Sequence, residues 1–188
     1  MMDVYDLPTS LILGEVAYSI RYGWRVEMDI FAAFNDPDLD DEMKTEAMCR
    51  ILYPDYDRIP LRHRQEAIQK ACEFLDCGMK RDGKVRPRSM DWEQDAALII
   101  PAVNAVANRE IRMDPNIHWW TFFGWYMSIG EGLFASVLHI RQKKLKGKKL
   151  EKHEEEFYRD NRHLIDLTRP DSEEVRREKE NILKWLNS

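Results

Sequence analysis

The sequence predicts a mainly α-helical protein, a compact bundle around one central aromatic helix, with a small β-hairpin near its N-terminus. Two observations carry this. Five stretches repeat their apolar residues at helical spacing, whereas a single short stretch reads as a strand pair. The second is "IHWWTFFGWYM", Ile117 to Met127, which sets eight apolar side chains into eleven positions of a chain that is 34% charged.

The elements follow in order. "LILGEVAYSI" holds Gly14-Glu15 between two β-leaning runs, which predicts a hairpin over roughly Ser10 to Arg21 with glycine at the positive φ of a type II′ turn. A lone hairpin is marginal in water, so it must pack on something. After Gly23 the spacing turns helical, with Trp24, Met28, Phe31 and Phe34 on one face and "NDPD" ending the run. Asp40 and Asp41 cap a second helix, apolar at Met43, Ala47, Ile51 and Leu52, which Pro54 stops. Pro60 opens a third helix with Ala67, Ile68, Ala71, Cys72 and Leu75 inward, and Gly78 closes it. A basic loop, "GMKRDGKVRPRS", comes next. Asp91 with Gln94 then resembles a capping box for a helix apolar at Trp92, Ala96, Ile99, Val103 and Val106, with a kink or break expected at Pro101.

Asp114-Pro115-Asn116 turns the chain into the aromatic run. A membrane span needs about twenty largely apolar residues. Ser128, Gly130, Glu131 and Gly132 fall in the middle of any such span here, and a glutamate is costly in lipid. A buried central helix accounts for the run instead. Trp119, Phe122, Tyr126 and Ile129 line one face, and Trp120, Phe123 and Met127 the next, so Trp120 is expected on a helix with no wet side. Thr121, Gly124, Ser128, Gly132 and Ala135 form a small-residue strip, along which a neighbouring helix is expected to approach closely. His118, at the helix start, reads as a cap or a carboxylate partner rather than a metal ligand.

Catalytic motifs are lacking. "GMKRDGKV" matches a phosphate-loop pattern by letter, but a helix precedes it, Val85 stands where a hydroxyl is needed, and Pro87 follows. "HEEEF" has no second histidine one turn on, and Asp91 and Asp95 read as a cap and a solvated neighbour. A binding protein without catalysis, metal or cofactor is the expectation. The three cysteines and the acidic opening "MMDVYDLPTS", which has no apolar core, read as reduced thiols in a cytoplasm.

Charge is uneven within a net −5. Residues 1–60 hold five Lys/Arg against thirteen Asp/Glu, whereas 141–152 hold seven against one. Residues 1–140 are therefore expected to form the helical core, with 141–188 a basic linker and C-terminal helical tail. Lys143, Lys144, Lys146, Lys148 and Lys149, with Ile182, Trp185 and Leu186 at the apolar end of that tail, are the candidate partner-binding residues. Contiguous lysines without interleaved aromatics, in an acidic chain, argue against nucleic acid.

"MDWEQDAALI", "IHWWTFF" and "LHIRQKK", in this order, resemble the bacteriophage "gene product fifteen" family of siphophages and prophages, over roughly residues 3 to 165. Asp95 and Ile100 (or Ile99) stand at the first motif, Ile117, His118, Trp119, Trp120 and Phe123 at the second, Ile140 and Arg141 at the third. The chain departs at "PAVNAVANREIRMDP", where Pro101, Asn104 and Asn108 replace an expected aromatic and glycine turn. The resemblance implies a tail assembly chaperone. Its partners would be the tape-measure protein, kept soluble, and the tail-tube protein, in the cytoplasm of the bacterial host. A minor structural component of the virion and a nucleic-acid-binding protein using 141–152 are the alternatives.

Overall fold

The computed structural model describes residues 5–80 and 87–168. Residues 81–86 of the basic loop and the whole tail segment with Ile182, Trp185 and Leu186 lie outside them. Strands β1 (Ser10–Leu13) and β2 (Val16–Ser19) pair antiparallel, Leu13 opposite Val16. Gly14 takes φ +61° while Glu15 does not turn positive, the signature of the expected type II′ turn. The hairpin packs its tip on a helix. Glu66 accepts a hydrogen bond from the Gly14 N–H at 2.9 Å, and a Cβ on Gly14 would stand 2.7 Å from the His63 ring.

Eight α-helices follow among the described residues: α1 (Trp24–Asn35), α2 (Asp41–Leu52), α3 (Leu61–Leu75), α4 (Ala96–Ala107), α5 (Trp119–Met127), α6 (Leu133–Leu145), α7 (Lys152–Asp160) and α8 (Arg162–Ile165). The Asp40 side chain caps α2 by accepting from Met43 N at 2.8 Å, as its position predicts. α3 ends with Cys77 and Gly78 both at positive φ, their N–H groups bonded back to Phe74 and Glu73. α1 packs on α2 and α5, α4 on α5 and α6, and β1 on α3. Leu13, Ile30, Leu52, Phe74, Ile99, Trp119 and Phe122 meet in one core. A smaller cluster of Val137, Ile140 and Ile165 joins α6 to α8, and half-buried Leu98 touches both cores.

Four expectations need correction. The aromatic helix does not run on toward Leu138: α5 stops at Met127, and Gly132, at φ +155°, admits a sharp elbow before α6. Among the described residues no helix closes on the glycines of the small-residue strip, since a Cβ on Gly124 or Gly132 would meet nothing within 4 Å. α5 consequently has a wet side, with Met127 63% exposed and Trp120 half-buried. In α1 the innermost residues are Trp24, Glu27 and Ile30, one position off the expected stripe, leaving Met28, Phe31 and Phe34 half-buried.

Pro101 sits inside α4 without splitting it into two segments. The turn after α4 is built by asparagines: Asn108 adopts the left-handed conformation, and the Asn104 side chain accepts from Ile111 N at 2.9 Å. The division expected at 140/141 falls inside α6. Residues beyond α6 fold back, with Leu150, Phe157, Tyr158 and Leu164 against the second cluster.

Candidate functional site

The motif residues make two joints. At the first, Trp119 N donates to Tyr22 O at 2.7 Å and Trp24 N to Ile117 O at 2.9 Å, so the starts of α1 and α5 are tied side by side. Gly23 permits this closeness, since a Cβ there would stand 2.8 Å from the Pro115 carbonyl. His118 caps α5: its Nδ1 accepts from Trp120 N at 3.1 Å, and its Nε2 lies 3.0 Å from the Pro8 carbonyl. An acceptor role at Nδ1 and a carbonyl beside Nε2 fix the neutral tautomer protonated on Nε2. Burial lowers the pKa of this ring, in keeping with a neutral cap.

The two tryptophans then reach across to α3. Trp119 Nε1 donates to Leu75 O at 3.0 Å and Trp120 Nε1 to Phe74 O at 2.9 Å. Carbonyls in the last turn of a helix lack intrahelical donors. The Trp119 indole supplies one to Leu75, and the Trp120 indole adds a second donor to Phe74, whose carbonyl already accepts from the Cys77 N–H, while the Trp119 ring packs against Phe31, Trp92, Phe122 and Phe123.

At the second joint Arg141 and Asp95, 46 residues apart, form a buried two-pronged ion pair with N···O distances of 2.6 and 2.8 Å. The guanidinium also donates to the carbonyls of Ile165 and Leu164 at 2.6 Å each and of Ser89 at 3.3 Å. Asp95 accepts from Asp91 N at 2.9 Å, and Asp91 caps the turn by accepting from Gln94 N. A buried charge is tolerable only with this degree of pairing. The sequence reading of Asp95 as a solvated neighbour of the Asp91 cap is thus overturned, since Asp95 is 1% exposed, and nothing in the sequence paired it with Arg141 across 46 residues.

Two grooves flank α4. One, of about 460 Å³, lies between α4 and the α5–α6 elbow, with Pro101, Ala105, Val106, Ile129 and Leu133 in its walls and Glu131 as its one charged residue. Pro101 lacks an N–H, so the Ala97 carbonyl at this groove has no helical donor. The other, of about 280 Å³, lies between α1 and α4, with Trp24, Met28, Ala96 and Ile100 among its lining.

The sequence model of the bacteriophage Gp15 protein family matches residues 4–167, most of the chain. The chain belongs to this family. Neither the curated proteins nor the solved structures include one that matches it. In this Gp15-family chain the matched region closes with the second joint, since the Leu164 and Ile165 carbonyls that complete Arg141 fall just inside its end.

The lysine tract is divided. Lys143 holds Glu154 at 2.5 and 2.7 Å, and Lys144 holds Asp166 at 2.7 Å. The Glu151 backbone N–H, then Lys143 and His139, hold the Glu154 carboxyl down to about 2. Lys146, Lys148 and Lys149 stand exposed at the Gly147 turn, whose N–H groups close α6 onto Lys144 and Lys143. Among the described residues no cluster of three or more His, Cys, Asp or Glu is placed to hold a metal ion, and no helix is long and apolar enough to cross a membrane.

Sequence reasoning missed Glu27. It is fully buried in α1, and neither carboxyl oxygen has a hydrogen-bond partner among the described residues. Burial raises its pKa to about 8, so the group is largely neutral at pH 7. The available signal was its position: Trp24, Glu27 and Ile30 are spaced by threes, a core stripe with an acid in its middle.

Proposed function

We propose that this Gp15-family protein is a tail assembly chaperone, a binding protein without catalysis that keeps the phage tape-measure chain soluble and helps recruit tail-tube subunits. One observation carries the reading: the open apolar groove between α4 and the α5–α6 elbow. α4 is almost wholly apolar in sequence, yet only Ile99 and Val103 of its twelve residues are buried. Ala97, Pro101, Ala105 and Val106 face outward from a protein whose surface is otherwise strongly charged. An apolar helical segment of a tape-measure chain fits such a groove by laying its own stripe along α4. The exposed Lys146, Lys148 and Lys149 offer a separate, ionic contact for a second, acidic partner surface.

Co-expression tests this. The full chain should hold a tape-measure segment in the soluble fraction, and Ala105→Glu should abolish that capture with the melting temperature of the chaperone unchanged. Equal capture by Ala105→Glu would remove the groove from the function. Mass spectrometry of purified particles separates the alternative role, since a chaperone is absent from them and a structural component is present.

A further inference from the structure

We infer that the slot between α1 and α4 is a docking site for a polypeptide partner, taking an aromatic or long aliphatic side chain with a lysine or arginine beside it. The slot, of about 280 Å³, is lined by buried Trp24, Ile99 and Phe122 and by half-buried Met28, Trp92 and Ile100. Its aromatic part is rigid. The Trp24 and Phe122 rings stack with centroids 5.0 Å apart, and Trp92 tilts against Phe122 at 6.2 Å. A concave, largely apolar site with a few charged groups is the usual form of a binding pocket, and one anchoring side chain is the usual way a protein partner fills it.

The charge of the slot names the neighbour of that anchor. Asp29 and Glu93 both line it and both are exposed, and among the described residues neither has a cationic partner and no Lys or Arg lines the slot. The third polar group, Asn35, is committed elsewhere, its Nδ2 donating to Asp91 Oδ2 at 2.8 Å. Two solvated carboxylates beside aromatic rings suit a cation whose stem lies on the apolar wall while its head stays wet. One of these rings already carries such a group outside the slot: the Arg25 guanidinium stands 5.4 Å from the Trp24 ring centroid and donates to the Arg112 carbonyl at 2.7 Å.

Extent favours a polypeptide over a free amine. The slot continues into an outer mouth of about 660 Å³, with Ala32, Asn35 and Glu93 lining both. Arg88, the one base in the described lining of the mouth, is paired with Asp91. A small amine fills the slot alone, whereas a chain with one side chain in the slot can run its backbone out along the mouth. The slot shares no lining residue with the groove beside the α5–α6 elbow, so it adds a second docking point to the one proposed above.

Titration of the full chain, with its methionine methyl groups labelled with carbon-13, tests the site by nuclear magnetic resonance. Met28 lines the slot and is the reporter, and Met113, 82% exposed, is the reference. The probes are capped tetrapeptides of serine, phenylalanine, lysine and serine, with glutamine or glutamate replacing the lysine in two further versions. The lysine peptide should move the Met28 signal and leave Met113 in place, binding severalfold more tightly than the glutamine peptide, with the glutamate peptide weakest. The double variant Asp29→Asn with Glu93→Gln should bring the three affinities together, and Ala32→Trp, at an exposed position lining slot and mouth, should weaken all three. Equal binding of the lysine and glutamate peptides by the parent protein overturns the proposal, as does a Met28 signal that none of them moves. Tighter binding of phenethylamine than of the lysine peptide would assign the slot to a free amine and overturn the polypeptide. No tape-measure segment enters the measurement, so its outcome is independent of the capture above.

Discussion

Glu27, within α1, and Asp95, immediately before α4, are both buried carboxyl groups, and the protein treats them in opposite ways. Asp95 meets a guanidinium in two-pronged contact and a backbone N–H, while Glu27 meets no hydrogen-bond partner among the described residues. The first arrangement fastens α4, α6 and the segment around α8 together. The second leaves a group that must stay protonated to stay inside. A buried acid can thus be a fastener or a weak point, and the difference is the cation that reaches it.

The largest expected effect breaks the fastener. Arg141→Met should cost about 3–5 kcal/mol, because it strands the Asp95 charge in the core. The double variant Asp95→Leu with Arg141→Met should recover much of this, and urea unfolding of the two reads it directly. A single-variant loss below about 1 kcal/mol would place the pair at the level of a surface ion pair.

Next comes the weak point. Glu27 has its folded pKa raised to about 8 from an ordinary 4.5, so the folded state retains a proton that the unfolded state releases. Its contribution is fully present below pH 4.5 and is lost as pH rises through about 8, at about 1.4 kcal/mol per pH unit between the two. Glu27→Met should flatten that limb and stabilise the protein at pH 7 by roughly 2–3 kcal/mol. Chemical unfolding at pH 5, 7 and 9 measures both. A parent protein equally stable at all three would place Glu27 in contact with water.

Smaller effects sharpen the role of the His-Trp-Trp stretch. His118→Ala removes the α5 cap and should cost about 0.5–2 kcal/mol. Trp120→Phe keeps the ring packing but removes the donor to Phe74 O, for about 1 kcal/mol. The smallest change is expected at the exposed lysines: Lys146, Lys148 and Lys149 changed together to Gln should shift stability by less than about 0.5 kcal/mol. Thermal melts rank all three, and a larger lysine effect would show those side chains to be structural.

Local signals made much of the fold legible. The hairpin turn, the Asp40 cap, the close of α3 at Gly78 and the His118 cap each follow from residue types a few positions apart. The elbow between α5 and α6 was equally local, written in Gly130 and Gly132, but the apolar count around them masked it. The groove beside α4 was hidden differently. A run as apolar as "AALIIPAVNAVA" predicts burial, and hydrophobicity alone does not say which of its sides a small protein can cover. The Asp95–Arg141 pair is a long-range contact with no local pattern, and resemblance to the family marked both residues without revealing that they touch.

Arg141 also imposes an order on folding. Its acceptors lie on both sides of it in the chain, Ser89 and Asp95 earlier and Leu164 and Ile165 later. As the chain emerges during synthesis, α6 can close on α4 before residue 164 exists, but the guanidinium is then only partly satisfied. The short α8 turn arrives last and completes it. In reverse, Arg141 cannot leave without either shedding those two carbonyls or dragging α8 with it. Detaching this four-residue turn therefore strips two carbonyl acceptors from the buried guanidinium at once, a dependence distinct from the strength of the Asp95 pair itself.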